Sequence, residues 1–350
     1  MQGDGIPATM HAAVYRAARQ LSIERRPVPE PGEGEVLLRV SHCGVCGSDL
    51  HFVLDGWGRP DSIGGHEFSG HVVRVGPGVL RFRVGDAVVA LPEAACGRCE
   101  FCLDHRPALC SGRGTAGVSP FQGAFAEYVR AGVRQIVPVP DGLSTREAAL
   151  AEPLAVALHA ISRSGIRPGE SALVTGAGPI GMLVLAALRA RGVGDVWVSE
   201  PSPVRRDLAV RVGATRAVLP DELPFPSMPF ELVEDARHVA FECSGRPRAF
   251  ASALAQLRRG GTLVVVGTGM EKPNLDPNRV LLNELTVTGA YNYDENGLGD
   301  ALELLASGGL PTGLLIEPED VPLSGLLEAM ERLEAGRIGG KVLVAPGTED

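Results

Sequence analysis

The sequence predicts a two-domain α/β protein: a mainly β lobe and a doubly wound parallel sheet. Three observations predict it. Short apolar and β-branched stretches punctuated by Pro27, Pro29, Pro31 and several glycines fill the first part of the chain. After Ser171 apolar strands alternate with helical segments, the signature of parallel strands joined by crossover helices. With 350 residues, 45% of them hydrophobic, the chain can build two cores.

Met1 to Met10 are polar and without pattern, so they are set aside, and translation could begin at Met10. Strands are expected at Val36–Val40, then at Val72–Val75 and Asp86–Ala90 on either side of the turn Gly76-Pro77-Gly78. Phe125–Val129 and the proline-punctuated Val137–Pro140 follow, and a helical pattern starts near Ser144 and runs through Ile161. The second unit opens with the strand Ala172–Val174 and a helix through Met182–Leu188 that Gly192 ends. Further strands are expected at Val196–Val198, Ala217–Leu219, Val239–Phe241, Leu263–Val266 and Leu285–Val287, with Pro220–Pro229 an irregular surface connection. Helices near Leu298–Ala306 and Leu323–Leu333 and a strand at Lys341–Val344 finish the chain. No internal repeat or long flexible linker interrupts it.

A net charge of −9 argues against nucleic acid or an anionic membrane surface as the main partner. No run approaches the length of a membrane span, and the N-terminus lacks the basic region and apolar run of a signal peptide, so the expected compartment is the cytoplasm. Seven cysteines in such a chain point to metal rather than disulfides.

Chemistry concentrates in Cys43-Gly44-Val45-Cys46-Gly47-Ser48-Asp49-Leu50-His51, with Gly65-His66-Glu67 a short way on. A borderline-soft divalent ion such as zinc takes thiolate, imidazole and carboxylate, and a catalytic site uses three and leaves one position open. Cys46, His66 and an acid supply that set, and the glycines at 44, 47, 64 and 65 let the loops fold tightly around an ion. Cys96, Cys99, Cys102 and Cys110 can surround a second zinc completely, which makes that site structural. An iron–sulfur cluster uses similar spacing, so spacing alone does not separate the two. The lobe would pin a loop with too few apolar residues to hold itself. Glu152, flanked by apolar sequence, is costly to bury without a partner and is a candidate ligand or metal neighbour. His159 reads as a core histidine, and Cys243, at a strand end, as packing.

Gly176-Ala177-Gly178-Pro179-Ile180-Gly181 has a strand before it, a helix after it, a second strand beyond, and Glu200 about 20 residues on. Gly176 permits the turn, Gly178 lets the backbone approach a pyrophosphate and Gly181 brings helix close to strand. Glu200 would accept from the ribose hydroxyls and repel a 2′-phosphate, which favours NAD over NADP. Arg205 and Arg206 lie close enough to weaken that preference, so NADP stays possible.

These motifs, together with Glu152-Pro153-Leu154, make the chain resemble the zinc-containing medium-chain dehydrogenases over nearly its whole length after Met10. Within that family the stretches Gly65–Gly70 and Ala151–Ala160 look most like the butanediol and sorbitol dehydrogenase branch, with threonine dehydrogenases a close second. The resemblance implies a GroES-like catalytic domain from 1–152 and 293–350 and a Rossmann domain from 153–292. It implies two zinc ions per chain, one catalytic and one structural. Cys46 and His66 would be ligands of the catalytic ion, completed by Glu67 or by Glu152, with Cys43 a spectator. Ser48 would take the alcohol's proton and His51 would pass it to solvent, while Asp49 could orient His66 from behind. Lys341 stands where relatives carry a basic residue near the cofactor phosphates. The expected substrate is a secondary alcohol, diol or polyol, with Phe52, Leu54 and Trp57 as candidate pocket residues, and relatives suggest a homodimer or homotetramer. Two other classes compete: a zinc-free reductase of the same fold, for which the metal ligands would be superfluous, and a non-catalytic sensor, which would bind cofactor without turnover.

Overall fold

In the computed structural model, residues 5–113 and 122–348 are described. β1 (Thr9–Ala17) and β2 (Gln20–Pro27) form an antiparallel hairpin. Met10, set aside on sequence, belongs to β1: its side chain is buried with Ala12, Val14 and Ala126, while Ala13 and Tyr15 face the core of the lobe. That core forms on an antiparallel sheet of β3 (Glu35–Gly44), β4 (Glu67–Val75), β5 (Ala87–Ala90), β6 (Tyr128–Gly132) and β7 (Ile136–Pro138). Val36, Leu37 and Leu38 are all fully buried, so β3 is covered on both faces and reads as a continuous apolar run rather than an alternation.

The helical pattern from Ser144 becomes two helices. Ser144 Oγ accepts the Glu147 amide at 3.2 Å and caps Thr145–Ala148. Ala151–Ser164 then starts afresh with Pro153 in its first turn, where a missing N–H costs nothing, and ends at left-handed Gly165. It packs on the helix Pro179–Ala190 and shares the core of the second sheet.

That sheet is parallel: β8 (Ser171–Thr175), β9 (Asp195–Ser199), β10 (Arg216–Val218), β11 (Arg237–Glu242), β12 (Leu257–Val265) and β13 (Thr286–Gly289). Its spatial order is β10-β9-β8-β11-β12-β13. The connections leave β8 in one direction and β11 in the other, which opens a crevice at the carboxyl ends of these two neighbours. The chain then returns to the β lobe. The helix Leu326–Glu334 contributes Leu326, Met330 and Leu333 to the lobe's core, and β14 (Leu343–Val344) pairs with Gly44 and Cys43 of β3. Among the described residues no helix is long and apolar enough to cross a membrane.

Candidate active site

β3 delivers Cys43 into the core and ends at Gly44, and Cys46 precedes the short helix Gly47–Val53. β4 begins at Glu67, directly after His66. Asp49 joins the two loops. Its buried carboxylate accepts the Cys46 amide at 2.9 Å and the Gly65 amide at 3.4 Å. Oδ1 lies 3.7 Å from His66 Nδ1, beyond a hydrogen bond, so Asp49 sets His66 through the backbone beside it rather than by gripping the ring.

Ligand atoms of Cys46, His66 and Glu67 lie within 4.8 Å of one another, close enough to share one ion. The electrostatics suit a cation. Burial opposes charge on His66, yet Asp49, Cys46 and Glu152 outweigh it and hold the ring well above its usual range. Glu152, near the start of its helix, is pushed by burial up to about 7, and the Tyr293 phenol hydrogen-bonds to it. Glu152 is therefore within electrostatic reach of His66 but outside the tight trio.

Lys341 is not where the resemblance implied. Instead of meeting cofactor phosphates it is 1% exposed, and its ammonium donates to Glu67 Oε1 at 2.8 Å, Glu67 Oε2 at 2.5 Å and the Val45 carbonyl at 3.1 Å. The reason is topological: β14 lies against β3, so the residue just before it enters the β lobe's interior. His159 is buried as expected, but it is partnered, with Nδ1 2.8 Å from Asp294 Oδ1.

The four cysteines of the lobe converge. Sγ–Sγ separations are 3.5 Å for Cys99–Cys102, 3.9 Å for Cys99–Cys110 and 4.0 Å for Cys96–Cys102. A tetrahedron with Zn–S of about 2.3 Å places its sulfurs about 3.8 Å apart, so the thiols already have zinc's geometry. Backbone amides of Cys102 and Ser111 lower the Cys99 thiol to about 5, the thiolate a metal requires. The lobe also reaches the far side of the cleft. His105 Nδ1 is 2.7 Å from Glu295, and the Arg113 guanidinium lies over the Tyr291 ring at 5.3 Å.

The nucleotide turn has the shape its glycines imply. Gly176 sits at φ +88°, and a Cβ on Gly181 would fall 1.9 Å from the Gly176 carbonyl oxygen. A Cβ on Gly178 would meet nothing, and no side chain caps the helix that starts at Pro179, so its amides face open space where a pyrophosphate fits. Ile180 turns the other way and packs on the core. Glu200 follows β9, buried, with its carboxylate accepting the Ala177 amide at 2.8 Å and the Ser202 amide at 2.9 Å. Each oxygen keeps a lone pair for a ribose hydroxyl.

Arg205 is committed elsewhere than to cofactor. It donates to the carbonyls of Ile338 at 2.9 Å and Leu333 at 2.7 Å. Arg206 donates to the carbonyls of Glu200 and Pro201. Arg205 is engaged through Nε and Nη2, Arg206 through Nη1. Cys243 is held by its amide to the Thr175 carbonyl, and burial pushes its thiol up, as suits a packing role.

A cavity of about 290 Å³ opens beside the trio, lined by Ser48, Asp49, Phe52, His66 and Glu93 among others. Of the candidate pocket residues, Phe52 lines it, Leu54 is buried in the lobe core and Trp57 stacks on His51. Sequence reasoning missed Tyr293 and Asp294, partners of Glu152 and His159. Their position was the available signal, because residues just beyond the carboxyl end of a parallel strand, here β13, enter the crevice.

The pattern described as Alcohol dehydrogenase GroES-like domain matches residues 32–141, and that described as Zinc-binding dehydrogenase matches residues 179–307. Sorbitol dehydrogenase of Bacillus subtilis (strain 168) is 35% identical over 93% of this chain and 94% of its own length. L-threonine 3-dehydrogenase of Stenotrophomonas maltophilia (strain K279a) is 32% identical over 95% of this chain and 99% of its own. The crystal structure of 2R,3R-butanediol dehydrogenase from Bacillus subtilis superposes with a TM-score of 0.84 at 32% identity, covering 97% of this chain and 100% of that one. The likeness covers nearly the whole chain, and the chain belongs to the zinc-containing medium-chain dehydrogenases.

Proposed function

We propose that the protein reversibly oxidises a secondary alcohol, diol or polyol to the ketone with NAD. The observation that carries this reading is the convergence of Cys46, His66 and Glu67 within 4.8 Å beside a cavity that Ser48 lines. Cys46, His66 and Glu67 would hold one zinc, with Glu152 the alternative acid near His66, and Cys96, Cys99, Cys102 and Cys110 would hold the other. When bound, the catalytic ion supplies Lewis acidity that lowers the alcohol's pKa, and NAD supplies the hydride acceptor.

The chain's own residues do the rest. Cavity walls such as Phe52 exclude water around the carbon that loses hydride. Ser48 receives the hydroxyl proton, and His51, whose side chain is 27% exposed, passes it to solvent. The amides of Gly178, Ile180 and Gly181 hold the pyrophosphate, Pro179 having none to give, and Glu200 holds the ribose. With Arg205 and Arg206 tied to carbonyls, Glu200 is left to oppose a 2′-phosphate, which supports NAD over NADP. Residues 1–152 with 293–350 form the catalytic unit and 153–292 the cofactor unit, working as a homodimer or homotetramer in the cytoplasm.

The test is NAD reduction by zinc-loaded protein against secondary alcohols, diols, polyols and threonine, beside a chelator-treated control. Metal-dependent turnover of a diol or polyol is expected. A preference for threonine would move the substrate to the amino-alcohol class that the threonine dehydrogenase likeness allows. Cofactor binding with no turnover would favour a sensor.

A further inference from the structure

His51 lies in the last turn of the short helix Gly47–Val53, and the chain beyond it folds back onto that helix. The Leu54 amide donates to the Leu50 carbonyl at 2.6 Å, Trp57 to the His51 carbonyl at 3.3 Å and Gly58 to the Phe52 carbonyl at 2.9 Å. This return brings two side chains to the imidazole. Asp55, four residues on, places Oδ2 2.6 Å from His51 Nδ1. Trp57 lays its indole on the ring with centroids 4.7 Å apart and planes 15° from parallel.

We propose that Asp55 and Trp57 are positioning residues that clamp His51 in one tautomer and one ring orientation. The inference rests on the proton relay proposed above. A carboxylate accepts and does not donate, so the hydrogen shared with Asp55 belongs to Nδ1. In the neutral ring Nε2 is then the nitrogen without a hydrogen, the one that can take a proton in the relay and release it to water. The stacked indole hinders rotation about the Cβ–Cγ bond, which would put Cδ2 in place of Nδ1 beside Asp55 and Cε1 in place of Nε2. Asp55 thus does for a relay histidine what a buried acid does for a general base: it fixes which nitrogen works. The net step moves one proton, from the hydroxyl through Nε2 to solvent, and the imidazole returns to its starting form.

Two measurements test this. In protein labelled with 15N at histidine, correlation of ring nitrogens with carbon-bound protons at mildly alkaline pH reads each tautomer, and the signal lost in His51→Gln identifies His51. The expected result is Nδ1–H in the native protein and a shift towards Nε2–H in Asp55→Ala; a native Nε2–H tautomer would overturn the clamp. On the alcohol the native enzyme turns over best, Asp55→Ala should lower kcat roughly tenfold, part of the 10²–10⁴ typical of general acid–base catalysis. KM for NAD and alcohol should stay within about twofold, and Asp55→Glu should recover most of the rate. Unchanged kcat in Asp55→Ala, or a loss confined to KM or Tm, would sink the proposal. Because the tautomer is read without turnover, failure of the clamp and failure of the alcohol dehydrogenase reading are separable.

Discussion

The carboxylate of Glu67 is completely buried and shares its charge with one ammonium, Lys341, itself buried. Removing one member of such a pair strands the other, typically at about 3–5 kcal/mol. Lys341→Met should therefore destabilise the metal-free protein by about that amount. A bound dication beside Glu67 would replace part of the missing charge, so the zinc-loaded variant should lose less; equal losses in Tm with and without zinc would argue against Glu67 as a ligand. Ser48→Ala touches nothing that holds metal or cofactor. It should cut kcat by about 10²-fold or more with zinc content and NAD affinity retained, and near-normal turnover would remove Ser48 from the relay. At this scale the sequence was most legible where chemistry clusters locally, as in Cys46 to His51. It was least legible for Lys341, whose partner Glu67 lies 274 residues away, because no local pattern encodes a long-range ion pair.

Among the elements, the strands with apolar runs, such as β8 and β11, were evident from composition. The helix pattern after Ser144 was legible but its break was not. A proline in a first turn looks the same in sequence as one that ends a helix, and only the tertiary setting of Ala149 and Leu150 decides. The cysteine lobe was legible as a metal site from spacing alone. Its contacts with Tyr291 and Glu295 were not, since they depend on which element lies opposite. Cys99→Ser should bring zinc from two ions per chain towards one and lower Tm. The KM values should change less than stability, and an intact, inactive protein would show that the lobe does more than brace the loop.

For the whole molecule, the fold class was readable because the period of hydrophobicity changes once, near Ser171. What joins the two sheets was not, because the ties, apolar ones such as Val89 and Leu343 in the second sheet's core and single polar side chains alike, come from residues far apart in sequence. Arg205 reaches the carbonyls of Leu333 and Ile338, and Ser202 Oγ reaches the Gly336 carbonyl at 2.6 Å, binding the segment next to Glu200 to the helix that fills the β lobe's core. Arg205→Ala should cost about 3 kcal/mol or more in stability, at about 1.5–3 kcal/mol for each of two charged hydrogen bonds, and leave cofactor selectivity as it was. Glu200→Ala should relax the preference for NAD over NADP and also lower Tm, because it strands the Ala177 and Ser202 amides that the buried carboxylate accepts. The ratio of kcat/KM values for the two cofactors checks both; a selectivity change in Arg205→Ala would return that residue to the nucleotide.

β14 lends a further consequence to the order in which the chain is made. Glu67 emerges from the ribosome early, yet the ammonium that neutralises it is residue 341, and the strand that seats this residue pairs with β3 only after the entire parallel sheet has been synthesised. Until then the nascent β lobe must keep Glu67 hydrated, protonated or metal-bound, so its interior cannot dry and close on its own. The segment that carries Lys341 and β14 thus acts as a latch, and the active site is finished only after the parallel sheet beside it has been made.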